Sequence, residues 1–77
     1  MEDIKLAFGK RVKELRLQKG ISQEKLANIA GVDRTYMTQV ENGKRNLTIE
    51  KIRQICKGLD ITLGQFFDND EFLDDGE

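Results

Sequence analysis

The stretch of sequence that decides the fold is residues 21–43, ISQEKLANIAGVDRTYMTQVENG. It contains two short helical segments separated by Gly31, which adopts the left-handed backbone of a tight turn without a steric penalty. Ser22 and Asp33 stand where helix N-caps are expected, because their short side chains accept hydrogen bonds from the free amides of a first turn. The pattern therefore predicts two helices joined by a tight turn, the second over about residues 34–41.

Helical signals continue on both sides of this stretch. Upstream, apolar residues at helical spacing predict a helix over about residues 4–19. Downstream, Thr48 caps a fourth helix, and Thr62 with Gln65 matches the capping box of a short fifth one. No segment has the alternation that is typical of a strand. We therefore predict an all-α fold, a compact five-helix bundle with a helix-turn-helix element.

The chain has 77 residues and is expected to form one small domain. We place this domain at residues 1–67 and interpret residues 68–77, DNDEFLDDGE, as an acidic and flexible tail. Domains of this size bury little apolar surface, so we expect a homodimer. No apolar run is long enough to span a membrane, and Cys56 has no second cysteine to pair with, which indicates a cytoplasmic protein.

The net charge of −1 conceals a separation of charge along the chain. Residues 1–60 carry all 13 lysines and arginines against 8 acidic residues, a balance of +5, whereas residues 61–77 carry 6 acidic residues and no base. A basic body suits a polyanionic partner such as DNA, although a solvated surface of mixed charge explains the same balance equally well. Charge alone therefore does not identify the partner.

The second helix of the central stretch places hydrogen-bonding side chains outward. At about 100° per residue, Met37 and Val40 face the core and the opposite face is polar. Such a face matches base edges in the major groove, where glutamine pairs with adenine and arginine with guanine. Plain solvation is the alternative for any polar helix face. The predicted base-reading residues are Arg34, Thr35, Tyr36 and Gln39.

Polar groups at either end of this element are candidates for phosphate contacts. Free amides and the helix dipole favour an anion at a helix start, and contacts of this kind set the register of a protein on DNA. Ser22 is explained equally well as a helix cap. The predicted contacts with the DNA backbone are Ser22, Gln23, Lys44, Arg45 and Asn46.

Catalysis receives little support from the sequence. The chain has no histidine, and its one cysteine, Cys56, lies on an apolar helix stripe as a small core residue would. No cluster of histidines or cysteines suggests zinc, and no glycine-rich loop could cradle a phosphate. We therefore predict that the protein is not an enzyme and that it has no cofactor or metal site.

The central stretch resembles the helix-turn-helix of the phage repressor and Cro family, the lambda repressor-like domains, over about residues 5–67. The matching positions are Gln23, Leu26, Ala27, Ala30, Gly31, Val32, Met37, Val40, Glu41, Asn42 and Gly43. Two shorter segments look most like the controller proteins of restriction–modification systems. They are Asp33-Arg34-Thr35-Tyr36 and Arg45-Asn46-Leu47-Thr48-Ile49.

The resemblance implies roles for particular residues. In phage repressors the residues matching Arg34, Thr35 and Gln39 reach base edges, and the one matching Gln23 contacts a phosphate. In controller proteins the residues matching Arg34, Thr35 and Tyr36 read bases and groove shape, and those matching Arg45 and Asn46 engage the backbone. An ion pair often joins the residues that match Arg16 and Glu41. Controller proteins dimerise through their C-terminal helices, although burial in the monomer core is the alternative for each apolar residue there. The candidate dimer interface is Leu59, Ile61, Leu63, Phe66 and Phe67.

Together these features predict a sequence-specific transcription regulator that binds an inverted repeat in double-stranded DNA as a homodimer. A controller protein would also time the expression of a restriction endonuclease, with RNA polymerase as a further candidate partner. The alternative is a protein-interaction module, such as an antitoxin whose acidic tail grips a basic toxin, with DNA binding secondary. A second protein that co-purifies in stoichiometric amount would favour this alternative.

Overall fold

In the computed structural model, which describes residues 3–73, the chain is folded into helices and their connections. Within that range there is no strand, and no helix is long and apolar enough to cross a membrane. The prediction of an all-α five-helix fold is confirmed. The elements are α1 (Ile4–Lys19), α2 (Gln23–Ala30), α3 (Arg34–Glu41), α4 (Ile49–Leu59), α5 (Leu63–Phe67) and a 3-10 turn at Asp70–Phe72.

Side-chain caps determine where the helices begin. Ser22 Oγ accepts a 3.0 Å hydrogen bond from Lys25 N, and Asp33 Oδ1 accepts one of 2.7 Å from Tyr36 N. Gly31 ends α2 with a φ of 76°, a left-handed conformation that costs glycine little. Because these bonds form between neighbours in the sequence, α3 begins where the sequence predicts.

One apolar core joins the five helices. Helix α2 packs against α3 and α4, and α1 packs across α3. Removal of these side chains from water supplies the main favourable term in the free energy of folding. The buried apolar residues include Phe8, Val12, Leu26, Met37, Val40, Ile55, Cys56, Leu59 and Phe66.

Helix α1 crosses α3 at Gly9, where the two backbones come very close. A Cβ atom at Gly9 would contact the main-chain oxygen of Val40 and would lie 2.7 Å from that of Glu41. Backbone atoms cannot swing aside as the end of a flexible side chain can, so glycine alone fits this crossing without a shift. The sequence pattern did not identify Gly9, because its role depends on residues far along the chain.

Helix α5 is held to α1 by aromatic packing and by an arginine. The ring centroids of Phe66 and Phe8 lie 4.8 Å apart. Arg11 Nε donates a 2.7 Å hydrogen bond to the main-chain oxygen of Phe66, and its Nη2 donates one of 2.9 Å to that of Gln65. These carbonyl groups lie in the last turn of the helix, so Arg11 serves as a C-terminal cap supplied by another helix.

The 3-10 turn continues the aromatic packing beyond α5. Phe72 is half-buried, and its ring centroid lies 4.9 Å from that of Phe67. Residues 68–73 of the predicted tail are therefore part of the described structure, whereas residues 74–77 lie outside the described residues. The domain boundary at residue 67 stays a prediction.

Two residues predicted at the dimer interface belong instead to the monomer core. Leu59 is 2% exposed and Phe66 is 0% exposed. Neither side chain has surface left to bury against a second copy, so neither can add apolar contact to an interface. The sequence could not separate the two roles, because a core stripe and an interface stripe have the same helical spacing. The remaining candidates are Ile61, Leu63 and Phe67.

Candidate nucleic-acid interface

Helix α3 is anchored by its apolar side and presents its polar side outward. Met37 and Val40 are buried in the core. Arg34 and Thr35 are exposed at the start of the helix. The helix therefore lies on the surface with its first turn turned away from the core, as the spacing of its apolar residues predicts.

A buried ion pair fixes the far end of α3 to α1. Arg16 Nε lies 2.7 Å from Glu41 Oε2, and Arg16 Nη2 lies 3.1 Å from Glu41 Oε1, which makes the pair bidentate. Arg16 Nη1 also donates to the main-chain oxygen of Ile21 at 2.9 Å. Arg16 and Glu41 are the two residues that the resemblance joins, and both are buried. The pair holds the end of α1 and the end of α3 in one geometry.

Gln23 extends this network to the start of α2. Its Nε2 donates a 2.9 Å hydrogen bond to Glu41 Oε1, and its Oε1 accepts one of 3.0 Å from Thr38 Oγ1. Gln23 thus joins α2 to α3 with both ends of its amide, a structural role that its predicted phosphate contact did not include. One N–H of Nε2 is left for a second acceptor, because a primary amide carries two.

A second cluster forms on the outward side of α3. Arg45 Nε donates a 2.8 Å hydrogen bond to Gln39 Oε1. The guanidinium carbon of Arg45 lies 4.7 Å from the ring centroid of Tyr36, a distance at which the cation is attracted to the ring face. The structure therefore brings together two predicted base-reading residues and one predicted backbone contact.

The loop after α3 keeps Arg45 beside that helix. Lys44 N donates a 2.9 Å hydrogen bond to the main-chain oxygen of Gln39, and Gly43 has a φ of 74°. Gly43 also lies against Leu6 of α1, where a Cβ atom would come within 3.0 Å of the Leu6 Cα. The loop residues predicted to contact the DNA backbone, Lys44, Arg45 and Asn46, are all exposed.

Five of the predicted contact residues line two open clefts. Ser22, Gln23 and Arg34 line one open cleft between α2 and α3. Arg45 and Asn46 line another, in which the remaining wall is largely apolar and includes Ile4, Phe8, Leu47, Ile52 and Phe67. The basic loop is therefore adjacent to Phe67, one of the remaining candidates for the dimer interface.

The sequence pattern missed one exposed apolar residue near this second cleft. Ile49, in α4, is 77% exposed. It is the first residue of the helix, directly after the cap Thr48. Phe67 is 38% exposed and Leu63 is 39% exposed, so the C-terminal helices also present apolar surface to solvent.

The chain is similar to known proteins over most of its length. A family model described as helix-turn-helix matches residues 12–66. Control protein C.MunI from Mycoplasma sp is 44% identical over 72 residues, which are 92% of this chain and 97% of that protein. The crystal structure of the restriction-modification controller protein C.AhdI from Aeromonas hydrophila has a TM-score of 0.79 at 43% identity, covering 82% of this chain and 91% of that one. A structure of the nucleoprotein complex C.Esp1396I has a TM-score of 0.85 at 36% identity, covering 96% of this chain and 99% of that one.

Proposed function

The chain belongs to the helix-turn-helix family and, within it, to the control proteins of restriction–modification systems, and we propose that it regulates transcription as a homodimer bound to an inverted repeat in double-stranded DNA. The observation that carries this proposal is the placement of α3. Its apolar side is buried while Arg34 and Thr35 are exposed at its start. A recognition helix contacts base edges with its N-terminal residues, so this is the end that has to be free.

Base reading is assigned to Arg34, Thr35, Tyr36 and Gln39. Arg34 has the donor pattern for guanine N7 and O6, and the Thr35 methyl group can meet a thymine methyl group. The buried pair of Arg16 and Glu41 supports these contacts, because it fixes the C-terminal end of α3 to α1. The position of the helix that carries these side chains is then determined before DNA arrives, which lowers the ordering cost of binding.

Phosphate contacts are assigned to Ser22, Gln23, Lys44, Arg45 and Asn46. Ser22 and Gln23 stand at the start of α2, where free main-chain amides face an approaching anion. The other three form the exposed loop after α3. Two sets of phosphate contacts on either side of the reading helix would fix its register along the groove, since contacts with phosphate carry no sequence information directly.

Dimerisation is assigned to the exposed apolar surface of the C-terminal helices, with Ile61, Leu63 and Phe67 at its centre. A second copy related by a two-fold axis would place two α3 helices in successive major grooves, roughly 34–36 Å apart. The operator is then expected to read as an inverted repeat. Binding near its own promoter would activate or repress according to the position of the site relative to RNA polymerase.

The proposed role in a restriction–modification system is to time expression of the endonuclease, and the proposed location is the cytoplasm, where the chromosome of a bacterium lies. The similar proteins are named as control and controller proteins, which supports regulation rather than catalysis. The same names support this reading over that of an antitoxin directed at a basic protein.

A binding selection from random double-stranded DNA tests the proposal directly. We expect the purified full chain to enrich an inverted repeat whose half-sites are about one helical turn apart. Enrichment of no sequence above a non-binding control protein would overturn the proposal, and enrichment of a site without two-fold symmetry would overturn its dimeric form.

The assembly is tested separately by light scattering. Phe67→Asp is expected to lower the mass from that of two chains to that of one, since a buried charge without a partner strongly disfavours an interface. Leu73→Asp is the control, because Leu73 is also an exposed apolar residue but lies after the 3-10 turn. A dimer that survives in Phe67→Asp would exclude this surface.

A further inference from the structure

We propose that Arg45 determines base preference through Gln39: it fixes the Gln39 amide so that the two side chains together offer only N–H donors to the major groove and select guanine at that position. Arg45 is in this sense a positioning residue for Gln39. The inference rests on the proposed DNA-binding function and deepens it, because it concerns which base edge the α3 face recognises.

The orientation of the Gln39 amide follows from the chemistry of its partner. Arg45 Nε lies 2.8 Å from Gln39 Oε1. A guanidinium carries five N–H donors and no acceptor, so only the oxygen end of an amide can bond to it. The nitrogen end, with its two N–H groups, is then the part of Gln39 that remains for the groove. Arg45 itself keeps four further N–H groups on its terminal nitrogens.

Two contacts hold Arg45 in the position that this requires. Its guanidinium carbon lies 4.7 Å from the centroid of the Tyr36 ring, which provides a flat surface for the planar cation. The preceding residue, Lys44, donates its main-chain N–H to the main-chain oxygen of Gln39 at 2.9 Å. The loop therefore begins from a fixed point on α3, and Tyr36, Gln39 and Arg45 form one connected surface.

The pair of Gln39 and Arg45 disfavours a donor on the base edge, because Arg45 Nε already bonds to the Gln39 oxygen and the other N–H groups of the guanidinium lie beside it. Guanine presents two acceptors in the major groove, N7 and O6, whereas adenine presents one acceptor and the N6 amino donor. A glutamine that pairs with adenine must offer its oxygen to that amino group. Here a cation already lies against the oxygen, and its N–H groups would oppose a second donor. Guanine therefore fits this surface of donors, whereas adenine, the partner that the sequence predicted for Gln39, does not.

The test is a set of parallel binding selections on random DNA with the full chain and three variants. Gln39→Ala identifies the position that Gln39 reads, as the one that loses its base preference. In Arg45→Ala the ratio of adenine to guanine selected at that position is expected to rise by about tenfold or more, because the released amide can pair bidentately with adenine. Arg45→Lys is the conservative variant and is expected to keep guanine, since its ammonium group is also a cation and a donor.

The outcomes separate this inference from the proposed function. If Arg45 only contacts phosphate, Arg45→Ala weakens binding to all sequences and leaves the base profile unchanged, which would overturn the inference while DNA binding stands. A wild-type preference for adenine at the Gln39 position, or no change of profile in Gln39→Ala, would overturn it as well. Enrichment of no DNA by the unmodified chain would overturn the proposed function itself.

Discussion

The guanidinium of Arg11 in α1 caps the end of α5, with its Nε 2.7 Å from the main-chain oxygen of Phe66. This contact joins residues that are 55 positions apart and ties the last helix of the core to the first. It matters for assembly because Phe67, the next residue, is a candidate for the dimer interface. The orientation of that surface therefore depends on a side chain from α1.

Replacement of Arg11 is expected to destabilise the protein. Arg11→Met keeps the apolar stem but removes the donors to Phe66 and Gln65, and hydrogen bonds from a charged group contribute about 1.5–3 kcal/mol. The free energy of unfolding in urea, compared at one protein concentration, measures the loss. Glu14→Gln is the matched control: Glu14 makes an exposed 3.1 Å ion pair with Arg11, and the loss of such a pair should cost under about 1 kcal/mol. Equal losses in both variants would contradict the cap.

The buried pair of Arg16 and Glu41 gives a second prediction. Arg16→Met leaves the Glu41 carboxylate buried without its cation, which is expected to cost about 3–5 kcal/mol of unfolding free energy. Arg16→Met combined with Glu41→Leu removes both charges and should recover most of that loss. Thermal or urea unfolding of the two variants measures the difference. A double variant less stable than Arg16→Met would show that the pair itself, rather than the stranded charge, carries the stability.

Gly9 and Gly64 provide a matched pair of glycine substitutions. Gly9→Ala forces a Cβ atom against the backbone of Val40 and Glu41, and overpacking of this kind costs about 1–3 kcal/mol. Gly64 lies in α5 with no contact tighter than 3.8 Å for an added Cβ atom, so Gly64→Ala should stabilise the helix by about 0.5–1 kcal/mol. Unfolding midpoints of both variants test this. A neutral Gly9→Ala would mean that the α1–α3 crossing is looser than the structure shows.

Arg34→Ala tests the reading face. If Arg34 makes a bidentate contact with guanine, the variant loses about 1–3 kcal/mol on the preferred operator and relaxes the preference at one base pair. Affinities for the selected site and for single-base variants of it, at one salt concentration, measure both effects. Arg53→Ala serves as the control, because Arg53 is an exposed arginine of α4 that belongs to neither predicted contact group. An unchanged site profile in Arg34→Ala would remove this residue from base reading.

Cys56 gives a prediction for the dependence of stability on pH. Burial raises the pKa of the Cys56 thiol from its ordinary value of 9.0. A group whose pKa is higher in the folded state contributes stability below its unfolded pKa and loses it as the pH rises through the folded value. We therefore expect the unfolding free energy of the wild type to fall relative to that of Cys56→Ala as the pH rises above about 9. Urea unfolding at pH 8 and at pH 10 checks the direction, and a constant difference would contradict it.

The sequence alone determined the helices and the side of α3 that faces outward. Ser22, Asp33 and Thr48 cap amides three residues further along the chain, and Gly31 accommodates the turn with its own backbone. These are interactions between near neighbours, so their residue types and spacing suffice to predict them. The same holds for the inward direction of Met37 and Val40, which follows from the helical period.

Only the tertiary structure decided which partner each long side chain takes. Arg11 looks like one base among many in α1, and Gly9 like any glycine, until α5 and α3 are packed against them. Leu59 and Phe66 suited an interface as well as a core, and the choice depended on whether other helices cover them. Taken alone, the Gln39 amide can both donate and accept, but beside Arg45 its oxygen already accepts a hydrogen bond. In each instance the deciding atoms belong to a different element, whose approach is set by the packing of the whole core.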